Sequence, residues 1–481
     1  MEGAGLCPKC RNLALDFDLE LNQQLFDDPA STIMVERISL FMSTKLSRPR
    51  VHETLLFIAI LSGPPALRVR DPSASLSGNA DWSVLLNAAV WALGAFWVFL
   101  NLGGYVLKAK SIPRFGLLYG LVFLLVFCLY LSTLTSLVPI LTLYRVSQIL
   151  IAVFFGFFWV RRFGVDSTLK HLLGGYLTLS VAIAVAAFVA PDLVYTTATT
   201  ESIYGTVNTD GDARLRLRGD SIANTGSVAA MGFVLLLSYP SVIGRRAIFL
   251  SMLALEVVLL ALAQTRISFA IVLMFLLLAL IRFPRATPLR FFLYFMAAIT
   301  PILALKWMPT VLDYLLRSQE NSASTLSDRL PLWQYIVSEV LERSPWTGLG
   351  LYANRTIASE YNPGLGTSHS AYVEIFSGGG ILAFSVFVVI LGIELFLALR
   401  LLLVFGDNPK VFAVVSLFFS TILIGITSEE MIIASPTSLT FWLMLSVIPA
   451  VGAVYTHAQR GEIGISQNNL TGSRVLPTTR R

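Results

Sequence analysis

Four histidines occur in the chain, and His369 is the one whose surroundings suggest chemistry. It lies in the sequence GTSHS at 366–370, directly before an apolar run that contains Tyr372 and Glu374. An imidazole titrates near neutral pH, so it can accept a proton from a hydroxyl group that attacks a substrate. A structural role is the alternative for an isolated histidine. The sequence therefore predicts His369 as a candidate general base.

Arginines are the second group of residues that suggest chemistry. Arg266 lies in the sequence QTRIS at 264–268 between two apolar runs, where a charge is costly unless it faces a wet cavity and a partner. A planar guanidinium binds two phosphate oxygens at once, and a lipid-linked pyrophosphate presents such oxygens at the bilayer surface. Pairing with acidic residues or lipid headgroups is the alternative. Further arginines occur in the two longest polar connections of the chain: Arg214, Arg216, Arg218, Arg317, Arg329, Arg343 and Arg355.

Several other chemistries lack their motifs in this sequence. It contains no G-x-x-x-x-G-K-[ST] phosphate loop, no H-E-x-x-H and no G-x-S-x-G. Cys7 and Cys10 form a single C-x-x-C, whereas a structural zinc site requires four ligands. We also find no obvious carboxylate cluster suited to a divalent cation, so we predict neither a metal nor a cofactor. Gly378-Gly379-Gly380 is predicted to permit close helix packing rather than to cradle a phosphate.

The elements that position these residues are predicted to be membrane helices. Hydrophobic residues make up 55% of the 481 positions and charged residues 13%, about half the charge expected of a soluble domain. Runs of apolar residues long enough to cross a bilayer recur along the chain. The formal charge of +6 is concentrated at the ends of these runs, so we predict no nucleic-acid partner. The predicted spans are 51–67, 82–105, 115–133, 138–160, 170–190, 222–241, 247–264, 267–282, 290–306, 371–398, 411–427 and 437–456.

The distribution of basic residues predicts the orientation of the spans. Lys45, Arg48 and Arg50 precede the first span, and alternate connections carry further basic clusters, which is typical of cytoplasmic segments. We therefore predict an all-α protein with a cytoplasmic N-terminal segment (1–50), a transmembrane domain (51–456) and a cytoplasmic tail (457–481). Residues 1–50 are largely polar, so we expect no cleavable signal peptide. Of the histidines, His52, His171 and His457 fall at cytoplasmic helix ends, and His369 faces outward.

Two long connections, 191–221 and 307–370, are predicted on the outer face. The second connects the ninth and tenth spans and carries an amphipathic pattern, which predicts a helix lying along the membrane surface. Long loops in compact folds are often functional. The apolar positions of this pattern are Leu330, Trp333, Ile336, Val337, Val340 and Leu341.

Short motifs follow one another in a fixed order through the second half of the chain. They are RLRG at 216–219 with Asn224, TRIS at 265–268, SDR at 327–329 with Trp333, SPWTGLG at 344–350, and HSAYV at 369–373 with Gly380. Their order resembles the O-antigen ligase and polymerase superfamily, the membrane glycosyltransferases that move glycan from undecaprenyl pyrophosphate to an acceptor. The resemblance covers roughly residues 210–400, and the span count and the large loop before the tenth span agree with it.

This resemblance implies a role for each candidate residue. His369 activates or orients the acceptor hydroxyl, while Arg266 and one of Arg216 or Arg218 hold the pyrophosphate leaving group. No metal is required, because a glycosyl pyrophosphate is already activated and needs charge stabilisation as it departs. The supporting residues implied by the same motifs are Arg329, Tyr372 and Asn224.

The resemblance also implies a reaction and a location. We expect a polymerase that joins undecaprenyl-pyrophosphate-linked repeat units into a surface or exopolysaccharide at the periplasmic face of the bacterial inner membrane. Its partners would be the lipid-linked glycan, membrane lipids and other polysaccharide assembly and export proteins. An O-antigen ligase that transfers glycan to lipid A core is the close alternative. Ser370, where the family often has Asn, and Gly378, where a polar residue is common, depart from the pattern on the acceptor side.

A transporter or flippase for lipid-linked oligosaccharide is the alternative from another class. Such proteins often contain inverted repeats and polar groups near the membrane midplane. The sequence has no convincing repeat, and Glu256 is the main acid deep within a predicted span. An acid at that depth either serves transport or pairs with a buried polar neighbour.

Overall fold

The computed structural model describes residues 48–62, 82–109, 116–190, 195–196, 216–217, 225–263, 265–282, 329–361, 367–428, 431–432 and 435–459. The helices are α1 (Val51–Ser62), α2 (Trp82–Ala109), α3 (Leu117–Leu131), α4 (Pro139–Val189), α5 (Thr225–Ser238), α6 (Arg246–Ala263), α7 (Arg266–Arg282), α8 (Arg329–Arg343), α9 (Asn354–Tyr361), α10 (Ala371–Phe405), α11 (Pro409–Thr427) and α12 (Pro436–Gln459). One antiparallel pair of two-residue strands joins β1 (Tyr195–Thr196) to β2 (Arg216–Leu217).

The predicted helical membrane protein is confirmed in outline. A helix lies within each predicted span except 290–306, which falls outside the described residues. By length and composition, seven helices in the described ranges are able to cross a membrane, and three apolar helices are shorter. The predicted N-terminal segment and C-terminal tail lie almost wholly outside the described ranges, and the total of twelve spans stays a prediction.

The two predicted spans 138–160 and 170–190 follow each other directly in α4, with a break at one glycine. The 51 residues of α4 cover the predicted spans 138–160 and 170–190. Gly164 interrupts them with φ 77° and ψ 171°, a conformation that glycine adopts far more readily than other residues. Each half is longer than the roughly 20 residues that a membrane span requires. The predicted connection is therefore a break at one residue.

The bundle is built around α11 and α12. In the most apolar stretch of each helix, 67% of the residues of α11 and 78% of those of α12 are buried, whereas the share in α6 is 22%. α12 packs against α4 and α11, and α11 also packs against α5, α7 and α10. The start of α11 is fixed locally, because the Asn408 side chain accepts a hydrogen bond from Lys410 N at 3.0 Å and Pro409 occupies the first turn.

Ion pairs join the helix ends that the sequence predicts to be cytoplasmic. Arg162 lies 3.1 Å from Glu53, which joins α4 to α1. Asp166 lies 2.6 Å from Lys170 and 2.7 Å from Lys410, which joins α4 to the start of α11. These contacts gather three predicted cytoplasmic ends at one face, as the alternation of basic residues requires.

The orientation is testable by cysteine labelling. A cysteine at Glu360, exposed on α9, is expected to react with an impermeant maleimide applied from outside. A cysteine at Ala247, exposed at the start of α6, is expected to react only after lysis. Both variants are made in a chain whose Cys7, Cys10 and Cys128 are replaced by Ser, so that labelling reports one position. Labelling of Ala247→Cys in intact cells would contradict the orientation.

α8 confirms the amphipathic helix predicted in the second long connection, with one correction. Its buried residues are Leu332, Ile336 and Val340. Leu330 and Leu341, which were predicted on the apolar face, are 39% and 49% exposed. The apolar face packs against the protein rather than only along a membrane surface, since its buried residues form a cluster with Leu349, Ile357 and Ala358.

Candidate functional site

His369 stands at the entrance to α10 in an unusual backbone conformation. Its φ is 50°, in the left-handed region that few non-glycine residues adopt. Its backbone N donates to Thr367 Oγ1 at 3.3 Å. The flanking serines are both buried: Ser368 Oγ donates to Ser370 O at 3.1 Å, and Ser370 Oγ donates to Gly425 O at 3.4 Å. The surrounding structure therefore holds the histidine backbone in a conformation that the chain would not choose alone.

A buried carboxylate ties the histidine segment to the preceding loop. Glu374 Oε1 accepts from Tyr352 N at 2.5 Å, and Oε2 accepts from Asn354 Nδ2 at 2.8 Å and Ser368 Oγ at 3.2 Å. Asn354 Nδ2 also donates to Ser377 Oγ at 2.8 Å. Through these bonds Glu374 links the histidine segment to the loop at Tyr352 and Asn354. The sequence pointed to Glu374 as a neighbour of His369 but did not predict this network.

The SPWTGLG motif forms a strap that lies along the break in α10. Leu349 N donates to Ser377 O at 2.8 Å and Gly350 N donates to Gly378 O at 3.1 Å. On the other side of the break, Ile381 N donates to Pro345 O at 2.9 Å. These bonds satisfy backbone groups that the kink at Gly380, with φ 63°, removes from the helix. The predicted close helix packing holds for Gly379, which lies against Leu129 of α3, whereas Gly378 and Gly380 lie against this strap and its continuation.

The strap predicts a strong requirement for glycine at position 348. A Cβ there would lie 2.5 Å from Gly380 N and 2.6 Å from Gly378 C, and φ is 71°. Gly348→Ala is therefore expected to lower the free energy of unfolding by more than about 1 kcal/mol. The melting temperature in detergent checks this, with Gly392→Ala as the control, since a Cβ at Gly392 meets nothing within 4 Å. Equal melting temperatures for the two variants would contradict the strap.

Two of the predicted supporting residues donate hydrogen bonds to backbone carbonyls in the C-terminal part of α11. Arg329 Nη1 donates to Thr427 O at 2.9 Å, and Tyr372 OH donates to Ile422 O at 3.1 Å. The last carbonyls of a helix have no partner within it and attract positive charge. Arg329 therefore joins the start of α8 to the end of α11, beside the Ser370 bond to Gly425. The structure brings Arg329, Tyr372 and the backbone at His369 to one helix end.

The elements next to the two arginine motifs are neighbours in the fold, while the side chains of Arg216 and Arg266 lie outside what the structure describes. β2, which contains Arg216, packs against α6, and Arg266 begins α7 immediately after α6. Gly226, at the start of α5, lies against Thr265 and Ser268. The strand that contains Arg216 and the helix that follows the motif thus each contact the helix pair that Arg266 joins. The predicted residues Arg218 and Asn224 lie outside the described residues.

Sequence reasoning missed a further arginine, Arg145 in α4. Its side chain is buried, its Nη1 donates to Gln148 Oε1 at 3.0 Å, and its Cζ lies 4.5 Å from the centroid of the Tyr352 ring. The available signal was a charge inside the predicted span 138–160, since an ionisable residue in a membrane helix is a functional candidate. Arg145 therefore contacts Tyr352, which is joined to the His369 segment through Glu374.

Together, the fold and the site define a polytopic membrane protein with a polar site at the helix ends of one face. A family model described as O-antigen ligase matches residues 249–388. This match confirms the resemblance to the O-antigen ligase and polymerase superfamily and includes Arg266, Arg329, His369 and Tyr372. It supports a membrane glycosyl-transfer role of the ligase or polymerase type. No curated protein matches the chain.

Proposed function

We propose that this chain polymerises undecaprenyl-pyrophosphate-linked oligosaccharide repeat units into a surface or exopolysaccharide, without a metal ion, at the periplasmic face of the bacterial inner membrane. The observation that carries the proposal is the position of His369. It is half-buried at a helix end, held in left-handed backbone between two buried serines, and lies within the region matched by the O-antigen ligase family.

In the proposed reaction, the acceptor hydroxyl oxygen attacks the anomeric carbon of the donor sugar. The bond between that carbon and the pyrophosphate oxygen breaks, and the electron pair leaves with the lipid pyrophosphate. His369 accepts the hydroxyl proton as the new glycosidic bond forms. Glu374 and Ser368 act as positioning residues, because their bond at 3.2 Å fixes the segment that contains His369.

The departing pyrophosphate gains negative charge, which arginines are suited to stabilise. We assign this role to Arg266, with Arg216 or Arg218 beside it. The support for this assignment is the contact of β2, which contains Arg216, with α6, the helix that precedes Arg266. Preorganised charge at a departing anion lowers the barrier because no solvent has to reorganise during the step.

An O-antigen ligase is the second candidate, and the description of the matching family favours it directly. The two activities share the donor and differ in the acceptor. A polymerase adds the growing glycan to a lipid-linked repeat, whereas a ligase adds finished glycan to lipid A core.

Deletion of the gene separates these candidates. Under the polymerase proposal, cells accumulate single lipid-linked repeat units on the outer leaflet and lack long chains. Under the ligase alternative, long chains form and stay unattached to lipid A core. Retention of repeat units on the cytoplasmic leaflet would instead indicate a flippase and would contradict both.

Glu256 is the residue on which the transport alternative depends, and it has a hydrogen-bond partner in the structure. Ser180 Oγ of α4 donates to Glu256 Oε2 at 2.9 Å. Gly232 of α5 lies directly against the same carboxyl group. Among the described residues Oε2 has a hydrogen-bond partner and Oε1 has none. The packing of this acid between α4, α5 and α6 fits a helix-packing role, so we favour glycosyl transfer over transport.

A further inference from the structure

Trp333, on the amphipathic helix α8, donates a hydrogen bond to the backbone beside His369. Its indole Nε1 lies 2.7 Å from Ser368 O, the carbonyl oxygen of the peptide group that links Ser368 to His369. The N–H of the same peptide group, which belongs to His369, donates to Thr367 Oγ1 at 3.3 Å. A peptide group is planar, so bonds at its oxygen and at its nitrogen together fix its orientation. That orientation sets the point from which the His369 backbone turns.

The backbone turn at His369 is one that the residue does not favour. Its φ of 50° lies in the left-handed region, where the Cβ atom of an L-residue comes too close to the following carbonyl oxygen. Such a conformation persists only while the surrounding contacts hold it. Thr367 is a neighbour of His369 in the chain, whereas Trp333 belongs to a different element. Trp333 is therefore the contact through which this peptide group depends on α8.

α8 is itself fixed to the rest of the protein on both sides of this contact. Before Trp333, Arg329 Nη1 donates to Thr427 O of α11 at 2.9 Å. After it, Ile336 is buried in a cluster against which Phe376 of α10 packs. The indole is therefore presented by a helix that packs against α10, and α10 begins immediately after the histidine segment.

A hydrogen bond from the indole is not a general feature of the tryptophans in this fold. Three tryptophans in α2, α4 and α12 are buried, and their Nε1 atoms have no hydrogen-bond partner among the residues that the structure describes: Trp91, Trp159 and Trp442. Their rings serve as apolar packing groups. Trp333 is only half-buried, yet its N–H is directed to a backbone carbonyl. The N–H of Trp333 thus has a function that ring packing does not explain.

We propose that Trp333 is a positioning residue for the reaction at His369. Its N–H holds the peptide group before His369, so that the imidazole keeps one position relative to the acceptor hydroxyl. A displacement of about 1 Å in a reacting group lowers a rate by up to about a hundredfold. One hydrogen bond beside the base therefore affects turnover without contact to substrate. The inference rests on the proposed function and gives a role to the tryptophan that follows the SDR motif.

Replacement of Trp333 by Phe tests this role, because it removes the N–H donor and keeps an aromatic ring. Trp333→Phe is expected to lower kcat by about ten- to a hundredfold, with donor KM and affinity for undecaprenyl pyrophosphate changed by less than about twofold. The loss is expected to vanish in the His369→Ala background, because a base that is absent cannot be misplaced.

Trp91→Phe is the matched control for Trp333→Phe. It makes the same change at an indole whose N–H has no partner among the described residues. Turnover per folded molecule is expected to stay unchanged in this variant. An equal loss of kcat in the two variants would contradict the role of the Trp333 hydrogen bond.

A spectroscopic measurement separates the conformation of the histidine segment from turnover. In NMR spectra of protein with isotope-labelled histidine, the signal of the His369 backbone amide is identified by its absence in His369→Gln. Trp333→Phe is expected to shift this signal, because the amide belongs to the peptide group that the indole holds. The signals of His52, His171 and His457 are expected to stay in place.

Two results would overturn the proposal. An unmoved His369 signal in Trp333→Phe would contradict the positioning role whatever the rates are. A kcat loss by the same factor in the wild-type and His369→Ala backgrounds would make Trp333 a structural residue. If the signal shifts but the wild type transfers no glycan, the proposed function is overturned, and the hold of Trp333 on the His369 backbone stands.

Discussion

His369→Ala is expected to lower the turnover of each folded molecule by about a hundred- to ten-thousandfold, the usual contribution of general-base catalysis. Donor binding is expected to change little, because the role assigned to this residue is the removal of a proton from the acceptor hydroxyl. The measurement is transfer rate normalised to folded protein, together with affinity for undecaprenyl pyrophosphate.

A structural histidine would give a different pattern, with less protein and normal turnover in what remains. That result would rule out the catalytic role. The pH profile adds a second criterion. Only neutral imidazole accepts a proton, so activity is expected to rise with pH on the acidic side. This rise of activity with pH is expected to disappear in His369→Gln. A rise that persists in the variant is assigned to titration of the pyrophosphate.

Arg266→Lys is expected to lower kcat/KM by about ten- to a hundredfold while the protein still inserts and folds. The substitution keeps the charge and removes the planar fork that binds two phosphate oxygens. Charge-assisted hydrogen bonds contribute about 1.5 to 3 kcal/mol, which corresponds to that range. Steady-state kinetics with a lipid-linked donor give the ratio directly.

Arg343→Lys provides the control for Arg266→Lys. Arg343 is exposed at the end of α8 and paired with Glu339, so its substitution is expected to have little effect. If both variants retain full activity, the outer arginines are headgroup partners and the assignment of the pyrophosphate is wrong.

Helices were the part of the fold that apolar runs predicted best. Membrane helices satisfy their own backbone, so their positions depend on local composition. The errors arose where tertiary contacts determine which side chains are buried. Leu330 and Leu341 fit the period of α8, but packing against Leu349 and Ile357 selects Leu332 and Ile336 for the buried face.

Individual residues of the candidate site could be predicted from the sequence, but the contacts between them could not. His369 stood out because of its type and position, and the motifs indicated Arg266 and Arg329. Contacts between Tyr352, Glu374 and Arg145 join segments far apart in sequence, so no local pattern reports them. Arg145 was hidden within an apolar run, although a charge in such a run is itself a signal.

Release of lipid pyrophosphate by the purified protein tests the central proposal most directly. The chain is reconstituted with undecaprenyl-pyrophosphate-linked repeat units and no added metal, and products are separated by glycan length. We expect undecaprenyl pyrophosphate to be released once for each repeat added, and both signals to be lost in His369→Ala. Unchanged lipid-linked repeats with folded wild-type protein, or equal release in His369→Ala, would contradict the proposal.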